Sequence, residues 1–207
     1  MKLKMITLIA AVAAAFSTAP AMAASPFSVD FENTWEYASP VGNFYAGSGV
    51  SFTNVFGLSN GDGLGGLPGG GYYANAPSPL GTAFVFLDSA TNTAAYMNVA
   101  AGVANSLSLF YSTPDALTGA VRAYSGLNGT GSLLGTLDFL ATDSAYSVWQ
   151  QTTFSFAGTA LSFDFSGAQG AAFDNISAVP EPETFALLLA GLGLVAASVR
   201  RQQKKSV

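Results

Sequence analysis

The sequence predicts an all-β protein whose main domain is a β-sandwich of the jelly-roll type. Three observations lead to this prediction: short stretches in which apolar and polar residues alternate, clusters of Gly, Asn, Ser and Asp between them, and no helical periodicity of useful length over residues 24–179. About ten short strands with such spacing are typical of a sandwich. A solenoid would need a repeat of fixed length, and the chain has none.

Each alternating stretch presents one face to a core and one face to water. Leu107, Leu109 and Tyr111 form one such apolar face, and Phe163 and Phe165 form another. The predicted strands cover residues 27–32, 49–56, 82–87, 94–99, 106–112, 118–125, 132–140, 145–156, 161–166 and 171–178. An Asn-Gly pair between the strands 118–125 and 132–140 predicts that these two form a hairpin.

A glycine-rich stretch interrupts the strands at residues 57–71, where eight residues are glycine. A packed strand does not have this composition, so the stretch predicts an exposed loop. It contains no Lys and precedes no helix, which argues against a phosphate-binding loop. A flexible spacer and a ligand-binding lip are both compatible with it.

The N-terminal residues predict a secretory signal peptide. Lys2 and Lys4 form a basic start, residues 5–16 are apolar, and Ala21 and Ala23 form a small-x-small cleavage motif. We therefore expect signal peptidase to cut after Ala23. An N-terminal membrane anchor is the alternative, and the short apolar stretch disfavours it.

The composition excludes several classes of function. The chain has no Cys and no His, so it has no disulfides, no Cys nucleophile, no zinc-finger-like site and no His-based triad. Residues 24–179 contain ten acidic residues and the single base Arg122, which gives a net charge near −9. Such a domain is unsuited to nucleic acid, and it disfavours anionic lipids or glycans unless metal ions bridge the charges.

The C-terminal end combines three features in order: Pro180-Glu181-Pro182, an uncharged apolar stretch over 184–199, and a basic tail. The bases of this tail are Arg200, Arg201, Lys204 and Lys205. As a helix the apolar stretch is about 24 Å long, which crosses a membrane when flanking residues snorkel or the bilayer thins. Positive charges after it place the C-terminus in the cytoplasm and the domain outside.

This C-terminal arrangement resembles the PEP-CTERM sorting signal of Gram-negative bacteria. In that family the signal is the substrate of exosortase, a membrane-embedded cysteine protease or transpeptidase. The resemblance implies cutting near Pro180-Glu181-Pro182, after transient anchoring in the inner membrane. It implies release to the cell surface or extracellular matrix of a biofilm-forming, exopolysaccharide-producing bacterium. The expected division is a signal peptide at 1–23, an ectodomain at 24–179 and a sorting signal at 180–207.

The ectodomain also resembles PEP-CTERM ectodomains in three short stretches. VDFE at 29–32 resembles their opening strand, and FDFSG at 163–167 with AFDNI at 172–176 resembles their last two strands. The similarity implies a lectin-like or carbohydrate-module-like sandwich, although a fold alone does not give a function.

Two groups of residues are candidates for ligand binding. Asp30, Glu32 and Asp174 lie on the expected first and last strands and would hold a Ca²⁺ ion if carbonyls and waters completed its shell. The alternative is that they face solvent. The candidates for stacking on sugar rings are Trp35, Tyr37, Tyr72 and Tyr73. The alternative for these aromatic residues is packing in the core or at its rim.

The sequence therefore predicts a non-catalytic, exported surface or matrix protein that exosortase processes. A Ca²⁺-dependent carbohydrate-binding module is the alternative. A glycan-active hydrolase is a weaker one, because without His or Cys it would have to rely on carboxylates such as Glu36.

Overall fold

The computed structural model describes residues 27–59, 75–88, 90–178 and 191–193. In these residues the chain forms an antiparallel β fold with ten strands, which confirms the predicted all-β class. The strands are β1 (Ser28–Val29), β2 (Ser39–Pro40), β3 (Val50–Thr53), β4 (Val55–Ser59), β5 (Gly81–Val85), β6 (Tyr96–Ser112), β7 (Leu117–Tyr124), β8 (Leu133–Phe139), β9 (Gln150–Asp164) and β10 (Ala172–Ala178). Short 3₁₀ helices lie at Ala46–Ser48 and Ser166–Ala168.

The strands pair in one continuous order, with β10, β6 and β9 near its centre. The order is β2–β4–β5–β10–β6–β9–β7–β8, while β1 pairs with β10 and β3 pairs with β6. Every pairing is antiparallel. The first and last of these strands are direct neighbours, with Val29 opposite Ile176.

Two pairs of predicted strands are each one long strand in the structure. The sequence predicted breaks between residues 99 and 106 and between 156 and 161, but β6 and β9 run through both. Gly102, Asn105 and Gly158 have positive φ there, and the β6–β9 pairing shifts register nearby. These residues form bulges rather than turns. The predicted breaks were wrong because a bulge and a turn favour the same residue types.

The bulges allow the sheet to fold over on itself. The N-terminal part of β6 pairs with β3, whereas its C-terminal part pairs with β10. β8 is remote from β6 in the pairing order, yet Tyr111 of β6 stacks on Phe139 of β8 with ring centroids 4.0 Å apart. The backbone N–H of Leu140 also donates to the Tyr111 hydroxyl at 3.0 Å. Different parts of the sheet therefore face each other across a core.

Aromatic rings make up much of this core. Phe163 and Phe165 are fully buried, as the alternation predicted. Phe165 stacks on Phe173 with ring centroids 4.9 Å apart, and Phe31 meets the edge of Phe173 at 5.9 Å. Such pairs each contribute about 0.5–1.5 kcal/mol beyond the area they bury. The aromatic core thus stabilises a domain in which no disulfide is available.

The predicted hairpin is present, while the first three residues of the predicted glycine-rich loop belong to a strand, and residues 60–71 of that loop lie outside the described residues. β7 and β8 pair on either side of Asn128 and Gly129, which both have positive φ. Residues 57–59, assigned to the loop from their sequence, are the end of β4. Strand β2 was not predicted, since it consists of Ser39 and Pro40 and a proline argues against a strand.

Several predictions fall outside the described residues. These are the signal peptide 1–23, the motif Pro180-Glu181-Pro182, the basic tail and, apart from 191–193, the apolar stretch 184–199. Among the residues that the structure describes, no helix has the length and apolar character needed to span a membrane.

Candidate functional site

Each of the three carboxylates considered for Ca²⁺ accepts hydrogen bonds from the protein. The Asp30 carboxylate accepts the Tyr45 hydroxyl at 3.1 Å. The Glu32 carboxylate accepts the backbone N–H of Leu80 at 2.9 Å, and the Asp174 carboxylate accepts that of Ser78 at 2.7 Å. Glu32 and Asp174 thus hold the segment that leads from the glycine-rich stretch into β5.

Asp174 is the most unusual of the three because its side chain has no exposed surface. Its second oxygen accepts the backbone N–H of Asn175 at 2.7 Å. Burial raises the pKa of Asp174 to about 7, and the negative charge of Glu32 acts in the same direction. The N–H groups of Ser78 and Asn175 lower this pKa but do not cancel the effect of burial.

The described residues do not contain a group of three acidic side chains arranged to hold a metal ion. In the group formed by Asp30, Glu32 and Asp174, each carboxylate already accepts a hydrogen bond from the protein. A Ca²⁺ ion would have to share oxygens with these donors, since it needs six to eight oxygen ligands. A calcium site here stays a prediction.

Trp35 is a core residue, so the prediction that it stacks on a sugar is wrong. Its side chain is only 6% exposed, and its indole N–H donates to the Phe31 carbonyl at 2.8 Å. A Cβ added to Gly57 would lie 2.2 Å from the Trp35 ring, and one added to Gly81 would lie 2.9 Å from it. The two glycines therefore make room for the indole beneath β4 and β5.

Tyr37, the next candidate along the chain, is 53% exposed and lines an open depression of about 280 Å³. The other residues that line it are Phe84, Val85, Phe86, Tyr146, Gln169, Gly170, Ala171 and Ala172. Four of the nine lining side chains are aromatic and none is charged. The remaining candidates, Tyr72 and Tyr73, lie outside the described residues.

Sequence reasoning missed most of this depression, although one signal was available. In β5 and just after it, Ala83 and Val85 are buried in the core, while Phe84 and Phe86 alternate with them on the other face. A strand that is apolar on both faces has its second face covered by other parts of the chain or offers it to a partner or ligand. Tyr146 and Gln169 come from loops, where no periodic pattern identifies a lining residue.

Glu36, the carboxylate considered for a hydrolase, lies one residue before Tyr37 in a turn. Its carbonyl accepts the backbone N–H of Ser39 at 2.9 Å, and its side chain is exposed. It is not among the residues that line the depression.

The C-terminal resemblance is supported by comparison with protein families. The model of the PEP-CTERM protein-sorting motif matches residues 178–202. The chain carries a PEP-CTERM sorting motif. The match begins at Ala178, which is the last residue of β10, so the PEP-CTERM signal follows the folded domain directly.

Comparison with solved structures finds distant similarities to several β domains. The K1 cleaved adhesin domain of Lys-gingipain from Porphyromonas gingivalis W83 is 14% identical, with a TM-score of 0.44, over 76% of this chain and 99% of that chain. The CsCBM6-3 module from Clostridium stercorarium, solved with cellobiose, is 14% identical, with a TM-score of 0.39, over 72% of this chain and 90% of that chain. A CBM35 from Paenibacillus barcinonensis is 17% identical, with a TM-score of 0.36, over 72% of this chain and 95% of that chain. No curated protein matches the chain.

Proposed function

We propose that this protein is a non-catalytic, exported cell-surface or extracellular-matrix protein that exosortase sorts and processes at its C-terminus. The observation that carries the proposal is the sorting motif at 178–202, directly after the last strand of the domain. In this proposal signal peptidase removes residues 1–23, and residues 24–179 form a jelly-roll-like sandwich outside the cell. Residues 184–199 anchor the chain in the inner membrane until exosortase acts.

The ends of the folded domain suit this arrangement because they lie side by side. The backbone N–H of Ala178 donates to the Phe27 carbonyl at 3.2 Å, and Ser28 is paired with Ser177. Pro180 is two residues beyond Ala178, a reach of about 7 Å in an extended chain. A membrane-embedded protease would therefore cut close to the β1–β10 edge of the domain.

Intact mass and cellular location in the native host test this proposal. We expect an extracellular species that lacks residues 1–23 and everything beyond the Pro-Glu-Pro motif, with extra mass at the new C-terminus if the domain is transferred to a lipid or glycan. Glu181→Ala should leave an unprocessed, membrane-held form, whereas Glu183→Ala, a matched change just after Pro180-Glu181-Pro182, should be processed. Normal release of the Glu181→Ala protein would contradict the proposal.

Carbohydrate binding is a second candidate, favoured by the open aromatic depression around Tyr37. In the Ca²⁺-dependent form of this candidate, Asp30, Glu32 and Asp174 would hold the ion. A glycan array probed with and without a chelator tests it, and loss of binding in the chelator would support the calcium-dependent form. Release of reducing sugar that Glu36→Gln abolishes would instead support the hydrolase alternative.

A further inference from the structure

One ring that lines the depression stands where three strands of the sheet pair. Phe84 lies in β5 opposite Phe56 of β4 and Ala172 of β10, and the rings of Phe84 and Phe56 are 5.8 Å apart. Phe84 also packs with Leu58 and Trp149 in a small apolar cluster separate from the main core. Three paired strands thus hold this ring in place before any ligand arrives.

Two of the aromatic rings that line the depression are half exposed. Tyr37 and Phe86 are each 53% exposed, although they come from separate segments of the chain. Tyr37 stands in the turn before β2, and Phe86 directly follows β5. Exposed aromatic residues that converge on one depression mark an interaction site more specifically than scattered apolar residues do.

The rim provides polar groups beside the rings. Tyr146 donates its hydroxyl to the Gly170 carbonyl at 2.8 Å, which fixes the loop before β10 against the loop before β9. Gln169 precedes Gly170 and is exposed, so its amide offers both donors and an acceptor at the edge of the depression. Rings that contact C–H groups, with an amide beside them for hydroxyl groups, match the chemistry of a sugar chain.

The charges of the lining residues and of the whole domain indicate which class of sugar the depression can bind. The nine lining residues include no Asp, Glu, Lys or Arg. Their only ionisable groups are the weakly acidic tyrosine hydroxyls. Arg122, the single base of residues 24–179, is on β7 and does not line the depression. An anionic glycan would find no cation here and would meet a domain of net charge near −9. A neutral glycan avoids both costs.

We infer that the depression between Tyr37, Phe86 and Gln169 binds a neutral glycan without a metal ion. Asp30, Glu32 and Asp174 are not among its lining residues, so binding there does not depend on Ca²⁺. The depression is open rather than enclosed, which suits a stretch of polysaccharide more than a small molecule. The inference rests on the carbohydrate-binding function proposed above and adds the class of glycan. It depends on the proposed export only in placing the protein outside the cell, where it would meet that glycan.

The test measures binding of the purified full-length protein, in mild detergent, to soluble polysaccharides. The neutral probes are hydroxyethylcellulose, laminarin, dextran and galactomannan, and the anionic probe is polygalacturonate, each with and without EDTA. The variants are Tyr37→Ala, Phe86→Ala and Gln169→Ala. The matched control is Leu133→Ala, since Leu133 is 54% exposed but lies on β8, away from the depression. Thermal unfolding of each variant verifies that it folds.

We expect at least one neutral polymer to bind equally with and without EDTA. Loss of either ring should weaken its binding on the order of tenfold, as expected for the loss of one aromatic contact, and Leu133→Ala should leave it unchanged. The inference is overturned if no neutral polymer binds, if the ring variants bind like wild type, if EDTA abolishes binding, or if only polygalacturonate binds. Self-association that Phe86→Ala removes, without any glycan binding, would also overturn it and identify an interface between copies. Because the assay does not involve exosortase, its failure leaves the sorting proposal intact.

Discussion

Replacing Asp174 by Asn should change how the stability of the domain depends on pH. Folding raises the pKa of this carboxyl from 3.8 to about 7, so between these values the native state keeps a proton that the unfolded chain has lost. Stability therefore falls as the pH rises through this window. Since a tenfold change in an acid dissociation constant is worth about 1.4 kcal/mol, the rise corresponds to at most about 4 kcal/mol.

The Asn side chain does not titrate, and it cannot accept hydrogen bonds from both Ser78 and Asn175, because one of its two positions is an NH₂ group. We expect the variant to be less stable than wild type at pH 4.5 by about 1–3 kcal/mol, the cost of one buried N–H without an acceptor. This deficit should shrink or reverse by pH 8, where the wild-type protein carries a buried charge.

Urea unfolding at pH 4.5, 6 and 8, followed by the fluorescence of Trp35 and Trp149, measures the stability of both proteins. Asp138→Asn is the matched control, since Asp138 also accepts a backbone N–H, from Gly119 at 2.7 Å, but its side chain is exposed. A change with pH that is equally large for Asp138→Asn would show that it does not arise from the burial of Asp174. A difference between wild type and Asp174→Asn that stays constant from pH 4.5 to pH 8 would refute the reasoning.

Two further predictions concern the core. Phe163→Ala should destabilise the domain by about 3–5 kcal/mol, because Phe163 is fully buried against Phe154 and Phe156; a shift of only a degree or so in thermal melting would contradict this. Gly57→Ala should cost about 1–3 kcal/mol and change the emission of Trp35, because the new Cβ would lie 2.2 Å from the indole; unchanged emission and stability would show that the ring moves freely.

The sequence predicted the elements of the fold better than their limits. The alternation of apolar and polar residues located most of the strands. One face of each strand is buried, so every second residue is apolar. It could not predict that β6 and β9 are continuous, since Gly102, Asn105 and Gly158 suit a bulge as well as a turn. Strand β2 was missed because one of its two residues is Pro40, and a proline argues against a strand.

The candidate site was harder to predict for a physical reason. Whether an aromatic residue stacks on a ligand or packs in the core depends on what covers it, and this is decided by residues distant in the sequence. Trp35 is covered because Gly57 and Gly81 leave space for it, whereas Tyr37, two residues further on, remains exposed. The same holds for the carboxylates. The sequence does not reveal that Asp174 and Glu32 both accept hydrogen bonds from backbone N–H groups.

Strand β10 is central to the sheet and is also the last strand before the sorting motif. It pairs with β1, β5 and β6, carries the buried Asp174, and ends where the sorting motif begins. The sheet cannot be completed until residues 172–178 have joined it, because β1 and β5 are connected to β6 only through β10. In the proposed export, which begins at the N-terminus, the last strand of the core is therefore followed directly by the sorting signal.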